Sequence, residues 1–228
     1  MKFKKFESSN VQNEFLEYIW YTPENTREKL PLIVYIHGAG CRGNNISKMP
    51  CSMGPIGEIK NGRQLDAFIA MPQCRWDTWF EVFPILLEFI DEMRQNPKVD
   101  KNRVYLCGAS MGGYTSWQIA MSRPEWFAAL VPVCGGGMYW NAERLKEIPI
   151  WAFHGADDAV VLPEESIHMV ESINRAGGNA KLTIYPNVEH ASWVNAFAEN
   201  ELWEWMFEQK KSVIVQNLLL FEAVFCLN

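Results

Sequence analysis

Six short apolar runs, rich in β-branched and aromatic residues, recur along the chain: 32–36 (LIVYI), 67–71 (AFIAM), 104–107 (VYLC), 130–133 (LVPV), 150–153 (IWAF) and 181–185 (KLTIY). Runs that are apolar on both faces fit strands of a mostly parallel sheet covered on each side. Residues 15–20 alternate instead, which predicts an antiparallel hairpin arm at the sheet edge. Helical patterns lie between the runs. Val82, Ile85, Leu86, Phe89, Ile90 and Met93 repeat at helical spacing, with Pro84 suited to the first turn. Further helices are expected over 114–122, stopped by Pro124, over 164–175, stopped by Gly177 and Gly178, and over 197–207. Strand and helix in alternation predict an α/β sandwich with helices on both faces of one sheet. A single domain over 1–211 is expected, followed by an apolar tail at 212–228 that is an extra strand, a dimer contact or a loose end.

Composition narrows the picture. In 228 residues, 48% are hydrophobic and 21% charged, which excludes a disordered chain, a collagen and a coiled coil. The net charge of −6 argues against an extended phosphate-binding surface, so no nucleic-acid partner is expected. The basic start, MKFKKFESSN, has no apolar stretch behind it and does not read as a signal peptide. No apolar run approaches the ~20 residues of a membrane span. Six cysteines form no C-x-x-C pair. The expectation is a cytoplasmic protein with reduced thiols, without membrane association. Neither G-x-G-x-x-G nor H-E-x-x-H occurs, so no nucleotide or metal cofactor is expected.

The candidate chemistry begins at Gly108-Ala109-Ser110-Met111-Gly112, a G-x-S-x-G between a predicted strand and a predicted helix. That context gives a tight turn that pushes a serine hydroxyl out above the sheet and aims a helix N-terminus at it. A serine hydroxyl needs a base. Of four histidines, His168 lies within a helix, and His37 and His154 end strands before a glycine and suit buried structural roles. His190 follows the last strand in a loop and has room to reach Ser110. Asp157 and Asp158 follow the fifth run and offer an acid to hold the imidazole. The chain order Ser, Asp, His is that of α/β-hydrolases. Ten tryptophans are many for this length, and Trp76, Trp79, Tyr139, Trp140 and Trp193 fall in loops after strands, where they are expected to wall a cleft. The connection at 134–148 is too short for a large lid domain.

These segments carry a resemblance. PLIVYIHGAGCRGNN, IAMPQC, GASMGGYTSW, VPVCGGG, IPIWAFHGADDAVV and AGGNAKLTIYPNVEHASW resemble the α/β-hydrolases of the dienelactone hydrolase and phospholipase/carboxylesterase type, closest to a bacterial "predicted peptidase" or esterase group. The resemblance implies the α/β-hydrolase fold, with Ser110 as nucleophile and His190 as base. The family's spacing from the histidine of its HG-x-x-D stretch selects Asp158 rather than Asp157. A weak physical argument agrees, because the apolar side chains of Ala159, Val160 and Val161 could bury that carboxylate. The resemblance also implies an oxyanion hole from the N–H of Met111 and that of Ala39 or Gly40. Two departures stand out: Cys41 just after HGAG, where a thiol would alter the rim of the hole, and Ala159 where proline is common. The implied activity is hydrolysis of small carboxylic esters (short-acyl, aryl or sugar-linked), by a monomer or a homodimer. Alternatives are a peptidase, an acetyl or feruloyl esterase of polysaccharide fragments, or a silent binding module.

Overall fold

The computed structural model describes residues 1–24, 28–49 and 53–211; the apolar tail expected at 212–228 lies outside the described residues. One eight-stranded sheet runs through the molecule. Its strands are β1 (Lys2–Glu7), β2 (Phe15–Tyr21), β3 (Leu30–Ile36), β4 (Phe68–Pro72), β5 (Val99–Ala109), β6 (Ala129–Val133), β7 (Ile150–Gly155) and β8 (Ala180–Tyr185). The spatial order is β1-β2-β4-β3-β5-β6-β7-β8. β2 pairs antiparallel with β1 and with β4, and β3 to β8 are parallel throughout.

Each parallel strand is buried on both sides, as its unbroken apolar run requires. Leu32, Val34 and Ile36 face one layer, while Ile33 and Tyr35 face the other. On the first face pack α2 (Phe83–Gln95), α3 (Met111–Ser122) and α4 (Glu164–Arg175), through Leu86, Phe89, Trp117 and Met169 among others. On the second lie α1 (Gly54–Lys60), α5 (Trp193–Ala198) and α6 (Asn200–Glu208), through Ile56, Phe197, Leu202 and Met206. Every fully buried Leu, Ile or Phe here contributes about 1.5–3 kcal/mol relative to exposure. No helix among the described residues is long and apolar enough to cross a membrane.

The structure departs from the expected elements in four places. β1 escaped the pattern because only Phe6 of its six residues is buried. It takes the sheet edge, so β2 is the second strand rather than the edge strand. Lys2, Lys4 and Lys5 lie along that edge, and charged side chains there discourage pairing with another chain. α1 is hidden by its glycines. Gly54 starts it at φ 59°, and the Tyr35 ring lies 2.5 Å from where a Cβ would stand. The helix expected over 197–207 is two, because the chain turns extended at Glu199. The indole of Trp203 then donates to the Phe197 carbonyl (2.9 Å) across the break. Finally, α3 begins three residues earlier than periodicity suggests, directly after Ser110.

Candidate active site

The C-terminal ends of β3, β5, β6, β7 and β8 meet at one edge, where an open parallel sheet gathers its functional loops. At the centre, β5 passes into α3 through Ser110 alone. Its backbone sits at φ 56°, ψ −120°, a conformation a non-glycine residue rarely adopts and one that costs about 1–3 kcal/mol. The turn is held by Ser110 N–H to Val133 O (2.9 Å) and Tyr114 N–H to Ser110 O (3.0 Å). Glycine at 112 is a packing requirement: a Cβ there would meet the Ile36 carbonyl oxygen at 1.9 Å. The small residues of the motif therefore serve the approach of α3 to β3, and the serine side chain is left facing the loops.

His190 reaches this serine from the loop after β8. Its Nε2 lies 2.8 Å from Ser110 Oγ, and its Nδ1 lies 2.8 Å from Asp158 Oδ2. The loops after β7 and β8 are zipped together by Ala156 N–H to Tyr185 O and Asp157 N–H to Val188 O. Gly155 permits that closeness, since a Cβ on it would meet the Val188 carbonyl oxygen at 2.2 Å. Trp193 stands edge-on to the His190 ring at 5.4 Å.

Asp158 is buried, and Asp157 is exposed. The carboxylate of Asp158 receives three hydrogen bonds and has a second imidazole close by. Oδ1 accepts the backbone N–H groups of Val160 and Val161, both at 2.9 Å, and Oδ2 faces His190 Nδ1 and, at 3.2 Å, His154 Nε2. Burial alone would raise this carboxyl's pKa. The hydrogen bond from His190, the two backbone N–H groups and the nearby His190 charge together bring it below the ordinary aspartate value. The secondary physical argument for Asp158, burial by its apolar neighbours, needs correction. Ala159 and Val160 are exposed, so the backbone of this turn secures the carboxylate, and the apolar side chains do not.

The loop after β3 lies against the serine, with a Cβ on Gly38 reaching 3.2 Å from that of Ser110. It continues into a short 3-10 turn, Ala39–Cys41. Ala39 and Gly40 lead this turn and Met111 leads α3, positions whose N–H groups have no carbonyl partner within their own helix. The floor beneath is His37, fully buried. Its Nδ1–H donates to Gly38 O (2.7 Å), its Nε2 accepts the Cys74 N–H (3.0 Å), and burial lowers its pKa to about 4. Cys41 does not line the rim as expected. Its thiol is buried, with Sγ 3.4 Å from Met53 Sδ.

The aromatic residues divide. Tyr139 and Trp140 are exposed, with Tyr139 against the ring of His168 at 5.5 Å. Trp76 is half-buried, with the Arg75 guanidinium over its ring at 4.4 Å. Trp79 is no cleft residue: it is fully buried, its ring is 5.0 Å from His37, and its Nε1–H donates to the His37 carbonyl (3.0 Å). Phe80, its neighbour, is the exposed aromatic of that segment. The connection from β6 to β7 holds one short 3-10 helix, Tyr139–Leu145, in place of a lid domain. Sequence reasoning treated His154 as a structural residue and missed its contact with Asp158. The H-x-x-x-D spacing at the end of β7 was the available signal.

Comparison with known proteins sets this geometry in a family. The chain is 31% identical over 74 residues to a bifunctional acetylxylan esterase/xylanase of Neocallimastix patriciarum, a match covering 32% of this chain and 11% of that protein. Its structure is similar to that of a thermostable esterase, at 31% identity and TM-score 0.75, covering 92% of this chain and 63% of the other. It shares its fold with the acylaminoacyl peptidase of Pyrococcus horikoshii at 17% identity and TM-score 0.71, over 93% of this chain and 42% of that one. The chain spans no more than about a third of the length of the curated relatives it matches. The model of the dienelactone hydrolase family matches residues 55–208. With that match spanning most of the chain and the α/β-hydrolase strand order behind it, this protein belongs to the dienelactone hydrolase family.

Proposed function

We propose that this chain is a serine esterase that hydrolyses small carboxylic esters through an acyl-enzyme formed on Ser110. One observation carries the reading: the unbroken path Ser110 Oγ to His190 Nε2 and His190 Nδ1 to Asp158 Oδ2, with both contacts at 2.8 Å. Nucleophile, base and base-orienting acid are thus within hydrogen-bond reach of one another. The names of the two relatives at 31% identity, both esterases, support ester over amide substrates.

In this reading Ser110 Oγ attacks the ester carbonyl carbon as His190 Nε2 takes its proton. The carbonyl oxygen becomes an oxyanion and is received by the N–H of Met111 and that of Ala39 or Gly40. Each such donor contributes about 3–4 kcal/mol to lowering the barrier. The tetrahedral adduct collapses, and His190 returns the proton to the departing alkoxide. Water then repeats the sequence on the acyl-enzyme and restores Ser110. Asp158 accepts the Nδ1–H throughout, which keeps Nε2 free as the base and offsets the imidazolium charge. The short connection between β6 and β7 and the exposed Tyr139 and Trp140 suit an open cleft for short-acyl or aryl groups.

The test combines labelling and turnover. A fluorophosphonate should modify Ser110 and no other serine, as read by mass spectrometry. Ser110→Ala should abolish labelling and lower ester hydrolysis by roughly 10³-fold or more. Activated acyl esters should be cleaved in preference to aminoacyl arylamides. An adduct on Ser116 or Ser192 with Ser110 untouched would overturn the assignment. Faster cleavage of the arylamides would make the protein a peptidase.

A further inference from the structure

A second imidazole stands 3.2 Å from the acid of the site. His154, the penultimate residue of β7, is fully buried beside Asp158. Its Nε2 has two neighbours, Val161 O at 2.8 Å and Asp158 Oδ2 at 3.2 Å. A carbonyl oxygen and an ionised carboxylate can only accept, so Nε2 carries a proton, which it donates to Val161 O while lying within ion-pair distance of Asp158 Oδ2. Nδ1 faces Ser166 Oγ of α4 at 2.8 Å, and that hydroxyl is also 3.0 Å from the Gly135 carbonyl in the loop after β6. His154 therefore ties β7, the acid loop, α4 and the loop after β6 into one connected unit. His190, by contrast, is half-buried and belongs to a different loop.

Resting on the esterase reading above, we infer that His154 is a positioning residue for the reaction: its Nε2–H fixes the Asp158 carboxylate so that Oδ2 lies in line with His190 Nδ1. The geometry divides the work on the carboxylate. The N–H groups of Val160 and Val161 hold Oδ1 from within the same turn. They fix one oxygen but leave rotation of the carboxylate about that anchor. Oδ2 is approached by imidazole nitrogens on two sides, His190 at 2.8 Å and the buried His154 at 3.2 Å. During turnover His190 changes protonation and moves its proton, so it cannot be the fixed reference. His154 can, because its other nitrogen is anchored on α4. It also holds Val161 O, and with it the turn whose N–H groups serve Oδ1. Misplacement of a reacting group by about 1 Å can slow a reaction by roughly 10²-fold.

The experiment uses three substitutions in the full chain. His154→Leu removes both ring nitrogens at similar volume. His154→Asn can still meet Ser166 but falls short of Asp158, so it tests the same contact if the leucine variant does not fold. His154→Gln keeps an N–H near the Nε2 position. With active enzyme counted by fluorophosphonate titration, Leu or Asn should lower kcat about 10–100-fold with KM within about twofold, and Gln should restore kcat to within about fivefold. In an Asp158→Asn background, His154→Leu or His154→Asn should change kcat by less than about twofold, since the effect runs through the carboxylate. Equal losses in both backgrounds, or a Gln variant as slow as Leu, would overturn the inference. A second readout needs no turnover: the low-field proton NMR resonance of His190 Nδ1–H in the resting protein. It should be sharp in the unaltered chain and in His154→Gln, and broadened or shifted in Leu and Asn. If that resonance is unmoved by all three changes, His154 has no positioning role. If it responds as expected while the unaltered chain cleaves no ester, the esterase reading fails and the positioning role stands.

Discussion

The buried imidazole of His37 makes this fold sensitive to acid in a calculable way. Burial, and secondarily the positive charge of Arg42, lower its pKa from 6.5 to about 4, against the opposing effect of its bond to Gly38 O. In the unfolded chain the same group titrates near 6.5. Between those values the unfolded state binds more protons, so stability rises with pH and is lost as pH falls from the unfolded value toward the folded one. The loss is about 2 kcal/mol between pH 7 and pH 5 and approaches about 3 kcal/mol by pH 4, from linkage over a shift of roughly 2.5 units. Protonation would also cancel the lone pair at Nε2 that accepts the Cys74 N–H. The perturbation is His37→Gln, whose side-chain oxygen can take over that acceptor role without titrating. Urea unfolding of both proteins across this pH range gives the two curves. The unaltered chain should lose about 2 kcal/mol more than the glutamine variant between pH 7 and pH 5. Matching pH dependences, within about 0.5 kcal/mol, would refute the reasoning. So would an NMR titration of the unaltered chain in which the His37 ring protonates near 6.5.

Other expectations concern the site. Asp158→Asn should lower kcat on an activated ester by roughly 10³–10⁴, because an amide cannot both serve the Val160 and Val161 N–H groups and accept from His190, so the imidazole adopts the wrong tautomer. Asp157→Asn, at an exposed position, should stay within about tenfold, and the reverse ranking would move the acid to Asp157. Trp193→Ala should mainly raise KM for aryl esters, since its ring is edge-on to His190, and unchanged KM for aryl and acetyl esters alike would remove it from the cleft. Trp79→Ala should instead destabilise the fold by about 3–5 kcal/mol, visible in urea melts, because it empties a fully buried position.

The parallel strands and their helices were legible because each buried element repeats one period over its length. β3, β6 and β7 read as continuous apolar runs, and α4 is bounded by glycines that stop it at the residue expected. β1 was not legible, since an edge strand with five exposed residues of six has no apolar signature to find. α1 was hidden for a different reason. Its opening Gly54 is required by the Tyr35 ring, a contact between segments nineteen positions apart that no local pattern contains. Ser110 and His190 were legible because each lies where a strand ends, and chain order distinguishes them from the other serines and histidines.

Side-chain direction explains what sequence could not supply. Trp76, Trp79 and Phe80 occupy one loop after β4, and nothing local says which ring turns inward. The answer depends on the carbonyl of His37, just after β3, which accepts the Trp79 indole proton and so makes burial of that large ring affordable. The same holds for the choice between Asp157 and Asp158. Both are acidic, adjacent and in the right loop, but Asp158 alone meets two backbone N–H groups of its own turn and two imidazoles from β7 and the loop after β8. In both cases a polar atom at the end of one strand selects the orientation of a residue that follows another. Polar partners of this kind, more than the apolar layers beneath them, therefore select which side chain turns toward the site at this edge of the sheet; substitutions around Asp158 should alter chemistry before they alter the fold, whereas loss of the Trp79 ring should alter the fold first.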